Sequence, residues 1–270
     1  MAKKAAFETK SKRVHVLEDG LFITDAGNIL GDTGGRKMRI RGAMHAVLIE
    51  SLGEDDGELV LLDAGFGESV PETLEGRYEL RREKTLLEAI EETGNSPEDV
   101  THVVLSHLDP DHVGWAINPP SFPHATIYAQ RGALEEAKNM PEEDGRNLAV
   151  KSLEKGVEEG WVELVDGDGE VAKGIYVEVR AGHSEGHQIV WIDGSEALFT
   201  ADLAPSKIFL DPDIIAGVDT DPEAARRNRI EVLSEAEKRN APVILYHEPK
   251  DCLVKIRKSG KNFEATPLEN

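Results

Sequence analysis

The stretch Ser106-His107-Leu108-Asp109-Pro110-Asp111-His112 sets two histidines and two aspartates directly after the apolar run Val103-Val104-Leu105. Imidazole nitrogen and carboxylate oxygen are donors that divalent first-row metals accept, so this density at short spacing points to metal binding. The same residues would also serve a polar loop that opens a helix, with Asp109 or Asp111 as its N-cap. Three more segments end in donors. His183 follows the apolar stretch that closes near Arg180, Asp202 follows Leu198-Phe199-Thr200, and His247 follows Ile244-Leu245-Tyr246. One such residue at a strand end is ordinarily just solvated; repeated at several strand ends, the pattern describes one convergent metal site. Asp63, in Asp63-Ala64-Gly65-Phe66-Gly67, reads as an acid that orients loops and histidines rather than as a ligand. His187 reads as a hydrogen-bonding neighbour, and His15, His45, His102 and His124 belong to no motif and are assigned to core or surface.

The elements that must position these residues are short. Val14 to Thr24 reads as a strand pair broken by a turn at Asp19-Gly20, and His45 to Leu52 with Leu59 to Asp63 as a hairpin. Glu83 to Glu92 is an amphipathic helix, and His102 to Leu105 is the strand that delivers the first motif. Ala125 to Ala129 is a strand and Arg131 to about Asn139 a helix; Pro141 to Arg146 is a charged break. Trp161 to Val165, Gly174 to Arg180, Gln188 to Ile192, Ala197 to Thr200 and Val243 to Tyr246 are further strands, and Pro222 to Asn240 is a long helix capped by Asp221. Strands in runs with isolated helices favour two packed sheets with helices outside over a single parallel sheet. No repeat of solenoid length and no linker divides the chain, so residues 14–270 are expected to form one domain behind a mobile lead-in at 1–13.

Composition removes several function classes. At 270 residues with 39% hydrophobic and 31% charged side chains, the chain has material for a sizeable core under an ionised surface. Its net charge of -21 argues against nucleic acid or an anionic membrane as partner. Cys252 is the one cysteine, so neither an internal disulfide nor a thiolate cage can form, and a structural role is assigned to it. No apolar stretch is long enough to span a membrane and no signal-peptide core opens the sequence, so the cytoplasm is the expected compartment.

With its Asp63-x-Gly65 turn, the set His107-x-Asp109-x-Asp111-His112, His183, Asp202 and His247 resembles the metallo-β-lactamase superfamily, whose motifs are His-x-His-x-Asp-His, then Gly-His, Asp and His. The resemblance runs from about residue 14 to 249. It implies an α+β fold, an αββα sandwich of two mixed sheets flanked by helices, with the metals in a cleft at one edge of the sheets. Carried over by position, it implies one metal on His107, Asp109 and His183, a second on Asp111, His112 and His247, and Asp202 bridging both. Two divalent ions about 3.5–4 Å apart share a hydroxide that attacks an ester or lactone carbonyl. Asp111 is the catalytic candidate, holding that water and passing a proton to the leaving group.

The departure is Asp109, which stands where the superfamily has its second histidine. The family implies zinc, and the extra carboxylate moves the preference toward manganese or iron. The wording Ser106-His107-x-x-x-Asp111-His112-Val113-Gly114-Trp115 is most like lactonases and related ester hydrolases, which implies a small ester or lactone substrate; a homodimer is the oligomer considered. Loops at Gly27 to Arg41, Trp115 to Phe122 and Ala204 to Ile215 are expected over the cleft, with Ile208, Phe209 and Leu210 placed either to hold an acyl or aryl group or to pack in the core. The alternatives are a di-iron redox protein related to the flavodiiron oxidoreductases, which carry a carboxylate matching Asp109 but also a fused flavodoxin domain missing here, and a binding protein in which Asp109 marks lost catalysis.

Overall fold

Apolar residues in this chain come in unbroken runs because each run serves two cores. In the computed structural model, which describes residues 5–31, 33–53, 57–117, 121–141 and 144–268, Val47 and Ile49 pack between two sheets while Leu48 packs on the helices outside. Val103, Val104 and Leu105 alternate in the same way, as do Ile189, Val190, Trp191 and Ile192. Side chains along a strand point to opposite faces, so a strand buried on both faces must be apolar throughout.

The first sheet uses the chain up to Val165: β1 (Ala5–Glu8), β2 (Lys12–Asp25), β3 (Arg39–Ser51), β4 (Leu59–Leu62), β5 (Tyr78–Arg81), β6 (His102–Val104), β7 (Thr126–Gln130) and β8 (Val162–Val165). Its order is β1-β2-β3-β4-β6-β7-β8, with β5 added on β2; the pairs from β4 to β8 are parallel and the rest antiparallel. The second sheet uses the C-terminal remainder: β9 (Gly169–Ala172), β10 (Ile175–Val179), β11 (Gln188–Ile192), β12 (Ala197–Phe199), β13 (Val243–Ile244), β14 (Leu253–Ser259) and β15 (Asn262–Pro267), ordered β15 to β9 with β12 and β13 parallel. Of the helices, α1 (Gly27–Leu30) and α3 (Pro110–Val113) are single turns. α2 (Leu86–Glu91), α4 (Arg131–Lys138) and α5 (Asn147–Glu159) cover the first sheet, and α6 (Pro222–Arg239) covers the second through Val232, Leu233 and Ala236. The result is the αββα sandwich of two mixed sheets. A helix as short as α2 is unstable alone; the capping box between Thr85 and Glu88 and the burial of Leu86 and Ile90 hold it.

Several expectations change. Residues 12–25 form one continuous strand, and Asp19-Gly20 is a bulge rather than a turn. The Asp19 carboxylate is fully buried there, accepting from the Arg82 guanidinium, the Trp115 indole and the Leu86 backbone N–H. Of the segment 1–13, residues 1–4 lie outside the described residues; Ala5–Glu8 pairs antiparallel with Arg13 to Val16. The Gly27–Gly42 stretch contains α1 and the start of β3, whose Arg39 lies opposite Asp25. The helix α5 and strands β14 and β15 add to the elements expected from the sequence. Among the described residues no helix is long and apolar enough to cross a membrane.

Candidate metal centre

Parallel pairing gathers the donor segments. Leu62 is in register with Val104, so Asp63 and the 106–112 stretch leave the first sheet at one edge; Phe199 is in register with Ile244, so Asp202 and His247 leave the second sheet together. The two edges are stitched to each other. Gln188 N–H donates to the Ser106 carbonyl at 2.9 Å, and Ala43 and His45 N–H donate to the carbonyls of His247 and Tyr246 at 3.2 and 3.1 Å. The His183 loop is pressed in by two glycines: a Cβ on Gly182, whose φ is +138°, would lie 2.3 Å from Ala225 N of α6, and one on Gly186 would lie 2.1 Å from Ala133 N of α4. That close approach explains the Gly182-His183-x-x-Gly186-His187 spacing.

Each of the four motif histidines is tied through Nδ1, which fixes its tautomer. His112 Nδ1–H donates to Asp63 Oδ2 at 2.7 Å. The Ser106 hydroxyl donates to Asp63 Oδ2 at 2.7 Å and therefore accepts from His107 Nδ1–H at 2.9 Å. His247 Nδ1–H donates to the Ala43 carbonyl at 2.7 Å, and His183 Nδ1 faces Asp219 Oδ1 at 3.1 Å. All four Nε2 lone pairs are thereby turned inward, where they meet carboxylates and no donor. Nε2 of His107, Nε2 of His112 and Oδ1 of Asp202 are buried with no hydrogen-bond partner. Buried acceptors facing acceptors need a cation between them.

The inward atoms fall into sets. One donor atom each from His107, Asp109 and His183 lie within 4.8 Å of one another; so do those of Asp111, His112 and His247, and those of His107, His112 and Asp202. Asp202 spans the first two sets, its Oδ1 3.4 Å from His112 Nε2 and 3.3 Å from His247 Nε2, its Oδ2 3.6 Å from His183 Nε2. Asp109 stands at the N-cap position of α3, but its side chain caps nothing. Its Oδ2 instead lies 3.4 Å from His183 Nε2 and 3.7 Å from His107 Nε2. Asp111 Oδ2 is 3.4 Å from His247 Nε2.

Around three of the four motif histidines the carboxylates favour positive charge, while burial and His112 lower the pKa of His107. Burial works against a charged His183, yet Asp109, Asp219 and Asp202 outweigh it and raise its pKa to about 10. Burial likewise opposes charge on His112 and His247, and the surrounding carboxylates, Asp202 first, raise both. Burial disfavours the Asp109 and Asp202 anions, but the neighbouring histidines hold both carboxyls well below the usual range. A proton on these imidazoles occupies the place that a divalent ion would take.

The structure also supplies residues the sequence did not mark. Tyr246 stacks on His112 with centroids 4.1 Å apart, and its hydroxyl donates to the Asp111 carbonyl at 2.5 Å. Asp219, behind His183, accepts from Ala216 N–H, and its Oδ2 is 3.8 Å from the fully buried Arg229. Asp219 is one of several acids in its loop and Tyr246 ends an apolar run, so only Tyr246's place beside His247 was a signal. Asp63 is fully buried and serves Ser106 and His112, and His187 Nε2 accepts from Asp202 N–H at 3.2 Å. His45 is a buried bridge to the Glu248 carbonyl.

Above Asp109, Asp111, His183, Asp202 and His247 opens a cavity of about 190 Å³. Its walls are largely apolar, from Phe22, Ile29, Leu30, Ile40, Tyr78, Ile208, Phe209 and Val218, with Arg41 and Ser206 among its lining. The Gly27–Arg41 and Ala204–Ile215 loops thus contribute, but Leu210 is buried against α6 instead. The described residues of 115–122 do not line this cavity; Trp115, Ile117 and Ser121 line a separate cleft beside Phe66, because the Trp115 indole is turned to Asp19. Residues 118–120 lie outside the described residues.

A sequence profile described as the metallo-beta-lactamase superfamily matches residues 39–247. An N-acyl homoserine lactonase of Bacillus thuringiensis is 27% identical over 213 residues, 72% of this chain and 80% of the relative. A probable metallo-hydrolase of Mycobacterium tuberculosis is 30% identical over 167 residues, 55% of this chain and 52% of the relative. Among solved structures, a probable metal-dependent hydrolase from Staphylococcus aureus superposes with a TM-score of 0.81 at 19% identity, covering 98% of this chain and 99% of that one. AidC, described as a dizinc quorum-quenching lactonase in complex with a product, superposes with a TM-score of 0.77 at 20% identity, covering 100% of this chain and 98% of that one. At these identities the two superpositions establish the fold.

Proposed function

The chain belongs to the metallo-beta-lactamase superfamily, and from that premise we propose that it is a metal-dependent hydrolase of lactones or esters with an uncharged, apolar acyl or aryl group. The observation that carries this reading is the convergence of four Nε2 lone pairs and three carboxylates, each imidazole held from behind, beneath an apolar cavity. His107, Asp109 and His183 would hold one divalent ion and Asp111, His112 and His247 the other, with Asp202 offering one oxygen to each set. Zinc is the family expectation; the third carboxylate, Asp109, makes manganese or iron more competitive than at an all-imidazole site. When bound, two such ions supply a hydroxide at neutral pH and polarise the scissile carbonyl.

The chain's own residues do the rest. Phe22, Ile208, Phe209 and Val218 take the apolar part of the substrate and exclude bulk water from the carboxylate floor. Asp111, which lines that floor, receives the proton released by water and delivers it to the departing alkoxide oxygen. Asp63, Ser106 and Asp219 keep the imidazoles from turning.

The test is a panel of lactones, aryl esters, thioesters and phosphotriesters assayed on protein stripped by chelator and reloaded with zinc, manganese or iron. Lactone or aryl-ester turnover that chelation abolishes and metal restores is expected. Two bound metal equivalents with no ester turnover would count against hydrolysis. An iron-dependent visible band that bleaches on reduction would favour di-iron redox chemistry instead.

A further inference from the structure

An aspartate at position 109 has a competing use. It stands at the N-cap position of α3, where Pro110 has no N–H and the His112 N–H donates to the Asp109 carbonyl at 2.9 Å; the Asp111 N–H is the one left for an aspartate side chain to cap, and Asp109 makes no such bond. Its two oxygens are divided: Oδ2 faces His107 and His183, while Oδ1 lies 3.7 Å from Nε of Arg146. Arg146 is itself fixed. Its Nε and Nη2 donate to Asp144 at 3.0 and 2.9 Å, and its Nη1 lies 3.4 Å from Glu136 of α4. Glu136 accepts in turn from the backbone N–H of Glu185 at 3.0 Å, in the loop that carries His183. A largely buried guanidinium at the entrance of α5, its Nε–H already given to Asp144, therefore faces the Asp109 carboxylate as a fixed positive charge held by the same framework that holds His183.

We propose that Arg146 is a positioning residue that keeps the Asp109 carboxylate on the metal centre and out of the helix-capping rotamer. The proposal rests on the ligand role given to Asp109 above. A histidine at that place would be a poor cap and would need no such restraint; a short carboxylate at an N-cap position does. Loss of the restraint divides Asp109 between two rotamers, and the apparent metal affinity falls by the fraction no longer competent. The direction is diagnostic. Were Arg146 only a positive charge near two cations, its removal would tighten metal binding, whichever residue stood at 109.

The experiment is a double-mutant cycle on the full chain, with Arg146→Met, Asp109→His and the pair, titrated with zinc alone in competition with a chromophoric chelator. Far-UV circular dichroism and melting temperature are recorded for each variant. Arg146→Met should weaken one zinc equivalent about 10-fold when Asp109 is present and change it less than about 2-fold when His stands there. Arg146→Lys should recover part of the loss, and Arg146→Gln carries the same cycle if Arg146→Met does not fold. Unchanged or tighter zinc binding in Arg146→Met, or an equal loss in both backgrounds, overturns the proposal. The unsubstituted protein separates the two levels: a single equivalent removes the ligand role of Asp109 and the proposal with it, whereas two equivalents insensitive to Arg146 remove the proposal alone.

Discussion

Asp202 and Asp111 share one cluster but stand differently in it. Asp202 presents an oxygen to each group of imidazoles, so replacing it disturbs both. Asp111 belongs to one set alone, with His112 and His247, and also lines the cavity floor, where the proposed proton transfer would take place. Asp111→Asn should keep its metal and lose about 10²- to 10⁴-fold in kcat. Elemental analysis beside steady-state kinetics checks this, and a loss under about 10-fold with full metal would remove the proton role. At this scale the sequence is most informative about donors, because His and Asp at strand ends have few other reasons to cluster. It is silent about what stands behind them. Asp219 is one acid among many in an acidic chain, and Arg146 lies in a segment that reads only as a charged break; their roles are set by contacts across long sequence separations.

At the scale of elements, strands with both faces buried are legible because they are apolar throughout. The less legible ones have a half-exposed or charged face: β14 alternates buried Val254 and Ile256 with Lys255 and Arg257, and α5 buries little beyond Ala149 and Leu153 around an interior glycine. The bulge at Asp19 reads as a turn because its buried carboxylate is satisfied by Arg82, Trp115 and Leu86, none nearby in sequence. The junction of β3 with the second sheet carries a pH prediction. Burial lowers the His45 pKa from 6.5 to about 4, and neutral His45 bonds the Glu248 carbonyl. The unfolded chain takes up this proton as pH falls below about 6.5 while the folded chain resists until about 4. Stability from this group is therefore full above pH 6.5 and declines between 6.5 and 4 by about 3 kcal/mol. Urea unfolding across that window should show a shallower decline in His45→Gln than in the unsubstituted chain.

For the whole molecule, the order of the sheets matters as much as their contents. Among the described residues, every strand up to Val165 lies in the first sheet and every strand from Gly169 lies in the second, so the described backbone passes between them once, through 166–168. The donors divide at the same place: His107, Asp109, Asp111 and His112 come before it, His183, Asp202 and His247 after it. The centre is thus a clasp between two consecutive pieces of polypeptide, neither of which has the whole donor set. A gene cut at Gly167 should yield two fragments that find each other when zinc is supplied and part when it is chelated. Size-exclusion chromatography of the co-expressed fragments, with and without chelator, would read that out; association indifferent to metal would mean that the apolar seam between the sheets suffices. With metal-dependent association, the cut protein would be a two-part sensor in which metal availability is reported as assembly.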